Sequence, residues 1–286
     1  MSRTVYLNGA YLPEEEATVS IFDRGFVMGD AVYEVTSILG GKILEFEGHM
    51  NRLARSLSEL EMTCDLSREQ WIEIHRELIA RNNIDEGLVY LQVSRGNAGD
   101  RDFHYPPAGT PPTVVLYTQA KTNLANDPKA KIGIKVISLP DLRWHRRDIK
   151  TVQLLYPSMA KMAAEAQGKN DAWFVEDGFV TEGSSNNTYI VKGNKIITRH
   201  LSHDILHGIT RVSLLKYAAE AQMEIEERPY TIAEAQAADE AFFTSASAFV
   251  MPVVEVDGAT IGSGKPGPVA ARLREIYLEE SLKAAI

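Results

Sequence analysis

Apolar and polar residues recur along the chain with two distinct periods. Residues 4–7 and 10–12 are short β-like runs on either side of Asn8-Gly9, a dipeptide suited to a two-residue hairpin turn. Residues 32–39 and 42–46 form a second such pair around Gly40-Gly41. The period then changes. Met50, Leu53, Leu57 and Leu60 lie three and four positions apart, so 48–60 reads as an amphipathic helix, and Ser67 supplies a cap for another helix over 67–82. Alternation returns at 88–94 and 113–119, which read as strands. The stretch 120–131, with Lys121, Thr122, Asn123, Asn126, Asp127 and Pro128, is polar and marks a domain boundary. Beyond it, 132–138, 172–176, 188–191 and 195–198 read as strands, and 157–168, 209–222 and 266–283 as helices. Strands and helices mix without the regular alternation of a parallel sheet. The expected class is α+β, with a small N-terminal domain over 1–119, a linker over 120–131 and a larger domain over 132–286.

Composition narrows the function classes. At 286 residues, with 44% hydrophobic and 24% charged positions, the chain has the make-up of an ordinary globular protein. A formal charge of −9 argues against nucleic acid as a partner, because phosphate backbones call for a basic surface. The single cysteine, Cys64, excludes an intrachain disulfide and a Cys-rich metal site, and no metal is expected. The first residues lack the apolar run of a signal peptide, and no segment has membrane-spanning length, so no membrane partner is expected and the expected setting is cytoplasmic.

Four segments carry candidate chemistry. Lys150 follows Arg146-Arg147-Asp148-Ile149 and precedes an apolar run through Leu154 and Leu155. Glu182 stands in Val180-Thr181-Glu182-Gly183-Ser184-Ser185-Asn186-Asn187. Gly208-Ile209-Thr210 opens a helical run, and Thr244-Ser245-Ala246-Ser247 is a hydroxyl-rich turn. Taken singly, Lys150 is a loop lysine, Glu182 a turn glutamate and Thr210 a first-turn hydroxyl. Together they are the parts needed to hold pyridoxal 5'-phosphate: an amine for the aldehyde, a carboxylate for the ring nitrogen, and helix-start N–H groups with hydroxyls for the phosphate. The amine must be neutral to attack, and Ile149, Val152, Leu154 and Leu155 are candidates for the apolar surroundings that favour this.

In that order, the segments resemble the class IV pyridoxal-phosphate aminotransferases. This family includes D-amino-acid and branched-chain aminotransferases, (R)-selective amine transaminases and aminodeoxychorismate lyases. The resemblance begins at Tyr6-Leu7-Asn8-Gly9 and Asp23-Arg24-Gly25-Phe26-Val27-Met28-Gly29-Asp30, and runs to Pro252-Val253-Val254-Glu255-Val256-Asp257-Gly258. It implies the two-domain fold type IV with the site at the domain interface, and a homodimer. Lys150 would be the catalytic amine and Glu182 the ring-nitrogen partner. The resemblance also implies Arg52 as a cation for the phosphate, joined there by Ile209, Thr210, Ser245, Ala246 and Ser247. Leu206 would lie on the ring face, and Ser185 and Asn186 would line the cofactor.

Substrate clues point in more than one direction. Val32-Tyr33-Glu34-Val35 resembles D-amino-acid enzymes and departs from the branched-chain and lyase patterns. Arg101 and Tyr105-Pro106 match the D-amino-acid enzymes' carboxylate loop, but Phe103 takes the histidine position and His104 follows it. Ser37 stands where those enzymes often have lysine and (R)-amine enzymes a small residue. Tyr33, Arg101, His104 and Ser37 are therefore the candidate substrate contacts. The expected reaction moves an amino group from a D-amino acid to pyruvate or 2-oxoglutarate, with relaxed activity on (R)-primary amines. An (R)-amine transaminase and an aminodeoxychorismate-type lyase are the alternatives.

Overall fold

Asn8 and Gly9 take φ of 48° and 96°, the left-handed pair that a tight hairpin needs, and join β1 (Thr4–Leu7) to β2 (Ala10–Pro13). This hairpin opens the computed structural model, which describes residues 2–286. The chain divides into two units. One holds the residues up to Leu124 with Ile149–Gln153 and Ala284–Ile286, and the other holds Ala125–Asp148 and Leu154–Lys283. The passage from Leu124 to Ala125 falls inside the polar 120–131 stretch, and the segment that carries Lys150 rejoins the first unit.

In the first unit, α1 (Arg24–Met28) is capped by Asp23, whose side chain accepts from the Gly25 N–H, and ends at Gly29 with φ 66°. It is followed by β3 (Ala31–Leu39) and β4 (Lys42–Ile43). The second hairpin is shorter than expected because Glu45 takes φ 55° and turns the chain into α2 (Phe46–Glu59), so Phe46 begins a helix. Ser67 and Gln70 form a reciprocal capping box on α3 (Arg68–Arg81). β5 (Glu86–Ser94) and β6 (Thr113–Ala120) complete an antiparallel sheet of order β2-β1-β6-β5-β3-β4. One sheet face buries Val32, Ile38, Val89 and Leu91 with Met50, Leu53, Trp71 and Leu78 of α2 and α3. The other carries a row of tyrosines, Tyr33, Tyr90 and Tyr117, with neighbouring ring centroids 5.6 and 4.9 Å apart.

The second unit begins with α4 (Lys129–Ile132) inside the expected linker. Then come β7 (Ile134–Pro140), α5 (Leu155–Glu165), β8 (Asp171–Glu176), β9 (Phe179–Gly183), β10 (Asn187–Lys192) and β11 (Lys195–Thr198). They are followed by α6 (Ile209–Glu220), β12 (Glu224–Glu227), α7 (Ile232–Gln236), β13 (Glu240–Ser245), β14 (Phe249–Val256), β15 (Ala259–Thr260) and α8 (Pro268–Lys283). The sheet runs β12-β11-β10-β13-β14-β7-β8-β9, with β15 beside β14, and mixes parallel and antiparallel pairs. The arrangement is the mixed α+β class expected. Local pattern did not predict β13 and β14, although Phe242, Phe243, Met251 and Val253 lie in its centre. β14 contains Pro252, a residue that argues against a central strand. Here Pro252 pairs with Phe242 and lies just before the pairing with β7 begins at Val253, so its missing N–H interrupts no bond to β7.

Candidate functional site

Lys150 is fixed by its backbone. Its carbonyl accepts from the Tyr33 N–H at 3.0 Å, the Val152 N–H donates to the Ala31 carbonyl at 3.1 Å, and Thr151 bridges Val32. The segment thus lies along the start of β3, on the strand edge that β4 uses further on. Lys150 Nζ stands 4.2 Å from the centroid of the Tyr33 ring. Of the apolar residues expected around it, Ile149 joins the core at 3% exposure, whereas Leu154 and Leu155 are 39% and 76% exposed. Those two start helix α5 rather than continue a strand.

Glu34, next to Tyr33, projects to the opposite face and is fully buried. Arg52 of α2 donates to both its oxygens, Nε to Oε1 at 2.8 Å and Nη2 to Oε2 at 2.7 Å. His49 Nδ1 lies 2.7 Å from Oε2. Burial alone would push this carboxyl up, but Arg52 and then His49 outweigh it and hold Glu34 down to about 2. Burial lowers His49, against the pull of Glu34, so its ring is neutral near pH 7. Ser37, further along β3, is buried.

The second unit holds Glu182 at the end of β9, 3% exposed. Arg143 Nη1 donates to its Oε1 at 2.7 Å, and Asn187 Nδ2 and the Leu206 N–H donate to Oε2 at 3.0 Å each. Arg143 also forks onto Asp141, Nε to Oδ1 at 2.9 Å and Nη2 to Oδ2 at 2.7 Å. Burial raises the Glu182 carboxyl, with Arg143 working against that rise. An ideal Cβ at Gly208 would lie 2.1 Å from Asn187 Oδ1, so only glycine lets Asn187 reach Glu182 past this point.

Gly208 is also the N-cap of α6 and, lacking a side chain, leaves the first helix amides uncapped. Among the described residues, the N–H groups of Ile209 and Thr210 have no backbone acceptor. Such a helix start, with its dipole behind it, is an anion site. Thr210 is buried, Ile209 and Leu206 are half-buried, and the Ser245-Ala246-Ser247 turn joins β13 to β14. Ser185 is exposed, and Asn186 donates to Asp171 at 2.8 Å. Asn187 is the amide that orients Glu182. Sequence reasoning passed over Asn187, Arg143 and Asp141. An Asn-Asn pair offers no local signal of which amide turns inward, and Arg143 stands in a run of arginines.

Among the candidate substrate residues, the Tyr33 ring stacks on Tyr90. In the loop after β5, Arg101 lies over the exposed Phe103 ring at 4.9 Å and makes no hydrogen bond or ion pair among the described residues. His104 is exposed, with Nδ1 3.1 Å from Asp102 Oδ1. Elsewhere, His145, Glu176 and Asp204 place possible ligand atoms within 4.8 Å of one another. The Arg147 fork holds both Glu176 oxygens at 2.9 Å, which makes this group an ion-pair network.

Similarity to known proteins gives the class of the chain. Residues 31–256 match the model of the family described as amino-transferase class IV, and the chain belongs to that family. It is 38% identical to a D-alanine aminotransferase of Bacillus licheniformis, over 98% of this chain and 99% of that one. Its fold is similar to a branched-chain amino acid aminotransferase of Escherichia coli, with TM-score 0.90 at 22% identity over 98% of this chain and 95% of the other. It is also similar to a branched-chain amino acid aminotransferase of T.th. solved with pyridoxamine 5'-phosphate, with TM-score 0.87 at 27% identity over 98% and 94%.

The Glu34 cluster has a pH consequence. Its folded value near 2 lies below the ordinary 4.5, so its contribution to stability is complete above that ordinary value and is lost as pH falls toward 2. Glu34→Gln is expected to cost about 3–5 kcal/mol at neutral pH, because it leaves the Arg52 charge buried without its carboxylate. It should also flatten the loss of thermal stability between pH 4.5 and 2. Melting curves across that range check both, and a variant that melts and responds to acid like the parent would contradict them.

Proposed function

We propose that this class IV aminotransferase holds pyridoxal 5'-phosphate and moves an amino group between a D-amino acid and a 2-oxo acid such as pyruvate or 2-oxoglutarate. The observation that carries the cofactor reading is Glu182, a buried carboxylate oriented by three donors, in the same unit as an uncapped helix start. When bound, the cofactor supplies an aldehyde for the amino group and an electron-withdrawing ring that stabilises the negative charge left by the α-proton. Lys150 Nζ would engage that aldehyde at rest and, once released, carry the proton from the substrate α-carbon. Glu182 would hold a proton on the ring nitrogen, and Leu206 would cover the ring face. The Ile209 and Thr210 amides, the Thr210 hydroxyl, the Ser245–Ser247 turn and Arg52 would bind the phosphate, and Ser185 and Asn186 would line the cofactor. Tyr33 and Arg101 would receive the α-carboxylate, with His104 beside the loop and Ser37 further along β3.

The D-amino-acid preference is supported by full-length similarity to D-alanine aminotransferases and by Arg101, whose donors are free among the described residues for a planar carboxylate. Relaxed activity on (R)-primary amines is favoured by the uncharged Ser37 and by Phe103 in the loop position where D-amino-acid enzymes carry histidine. A cytoplasmic setting belongs to the same reading. Among the described residues, no helix is long and apolar enough to cross a membrane. A homodimer is supported by α5, where Leu155, Met159 and Met162 recur at helical spacing with 76%, 57% and 63% exposure. Light scattering of the purified protein should give twice the chain mass, and Met159→Glu should shift it toward the monomer. A monomeric parent would remove this part of the reading.

The lysine assignment is tested by borohydride reduction followed by peptide mapping. The label is expected on the peptide that contains Lys150, and Lys150→Ala should abolish both the label and the visible absorbance. A label on another lysine would overturn it.

Arg101→Ala is expected to reduce catalytic efficiency on D-alanine and D-glutamate about ten- to a hundred-fold, the worth of a hydrogen bond to a charged group. The half-reaction with (R)-1-phenylethylamine, which has no carboxylate, should fall far less. Equal losses would make Arg101 a loop-shaping residue, and unchanged rates would return it to solvent.

A further inference from the structure

The loop after β5 presents Arg101, and a residue from outside the loop sets its shape. Arg24, in α1, is 4% exposed, and its Nη1 donates to two loop carbonyls, Asp102 at 2.7 Å and His104 at 3.1 Å. Between those carbonyls the chain makes a tight turn, in which Asp102 Oδ1 accepts from the His104 N–H at 3.0 Å. Arg101 directly precedes this turn. Arg24 is itself immobilised. Its Nε donates to Asp30 Oδ2 at 2.7 Å, and Arg95 Nε donates to the same oxygen at 2.7 Å. Arg95 is held in turn by the carbonyls of Leu60 and Glu61, at 2.7 and 3.2 Å. The Tyr105 ring covers the pair, its centroid 3.7 Å from the Arg95 guanidinium carbon and 6.0 Å from that of Arg24. The loop root is stitched to the same segment: the Arg24 N–H donates to the Gly96 carbonyl at 3.0 Å, and Ser94 Oγ donates to Asp23 at 2.7 Å.

We infer that Arg24 is a positioning residue for substrate recognition, holding the 102–104 turn so that Arg101 meets the α-carboxylate with its donors free. This rests on the carboxylate role proposed for Arg101. A guanidinium suits the task, because it stays charged when buried and its rigid fork serves Asp30 and two carbonyls at once. Arg24 touches neither substrate nor cofactor on this reading. Its loss therefore acts on binding, which is common to ground and transition states, and appears in half-saturation rather than in limiting rate.

The test compares Arg24→Met with the parent holoenzyme. The substitution keeps an apolar stem of similar length and leaves Asp30 paired with Arg95. Amide hydrogen exchange over residues 102–105 is expected to accelerate, and half-saturation by D-alanine to rise about ten-fold or more, the worth of a lost charge-assisted hydrogen bond. The limiting half-reaction rate should stay within about two-fold, since the reacting groups are untouched. Arg24→Lys, which keeps a buried charge beside Asp30 and loses the fork to the two carbonyls, should shift exchange and half-saturation in the same direction, and it decides the matter if Arg24→Met does not fold. Unchanged exchange, or faster exchange with unchanged half-saturation, overturns the inference. Arg101→Ala separates the two failures. If it weakens D-alanine binding while Arg24→Met does not, Arg24 has no positioning role and Arg101 keeps its own. If Arg101→Ala has no effect, the carboxylate reading falls and the inference with it.

Discussion

The backbone pairing between β3 and residues 150–152 is the constraint on which the arrangement of the first unit around Lys150 depends. Asp148 and Leu154 belong to the second unit, yet the residues between them are hydrogen-bonded to the first. A lysine on a free loop would sample many positions, and ordering it would cost backbone and side-chain entropy each time it acted. Here the cost is met on folding. Tyr33 serves twice, its N–H fixing the Lys150 carbonyl and its ring lying under Lys150 Nζ. Because side chains alternate along a strand, the next residue, Glu34, must point to the other face, where it anchors Arg52 and His49. One strand thus positions an amine on one side and an ion cluster on the other.

The two buried carboxylates are driven in opposite directions, and this separates their roles. Glu34 has a guanidinium fork and an imidazole around it, enough to overcome burial and keep it ionised far into acid. It works as a counter-ion that fixes Arg52. Glu182 has one guanidinium, shared with Asp141, and two neutral donors, and burial still pushes it up. A carboxylate that is costly to leave charged gains most from a further cationic partner, which is the relation it would have to a protonated ring nitrogen.

Much of the fold was legible because its signals are local. Asn8-Gly9, the Ser67 cap and the helical spacing of Met50, Leu53 and Leu57 each specify an element from a few neighbouring residues. β13 and β14 were not, since their place in the sheet comes from partners distant in sequence and Pro252 masks the strand pattern. The same division holds at the site. Lys150 and Glu182 stood out as candidates because they sit in ordered motifs with strong chemical meaning. Arg143, Asn187 and Asp141 did not, because their importance is purely geometric: only folding brings an arginine thirty-nine positions away onto Glu182. Leu154 and Leu155, read from sequence as part of an apolar run after the lysine, instead start a helix and are exposed.

Substrate preference was the least legible property, and the loop after β5 shows why. The buried arginines beside it, Arg24 of α1 and Arg95 at its root, have their donors engaged by carboxylate and carbonyl groups, whereas Arg101 has none of its donors engaged among the described residues. An arginine already paired inside the protein would have to exchange one good acceptor for another, with little net gain on binding. Free donors on a guanidinium whose neighbouring turn is fixed keep the full advantage of a two-point hydrogen bond to a carboxylate, with less ordering still to be done. In the sequence Arg24, Arg95 and Arg101 are equals in charge; which of them remains open to a ligand is decided by which ones the fold has already satisfied.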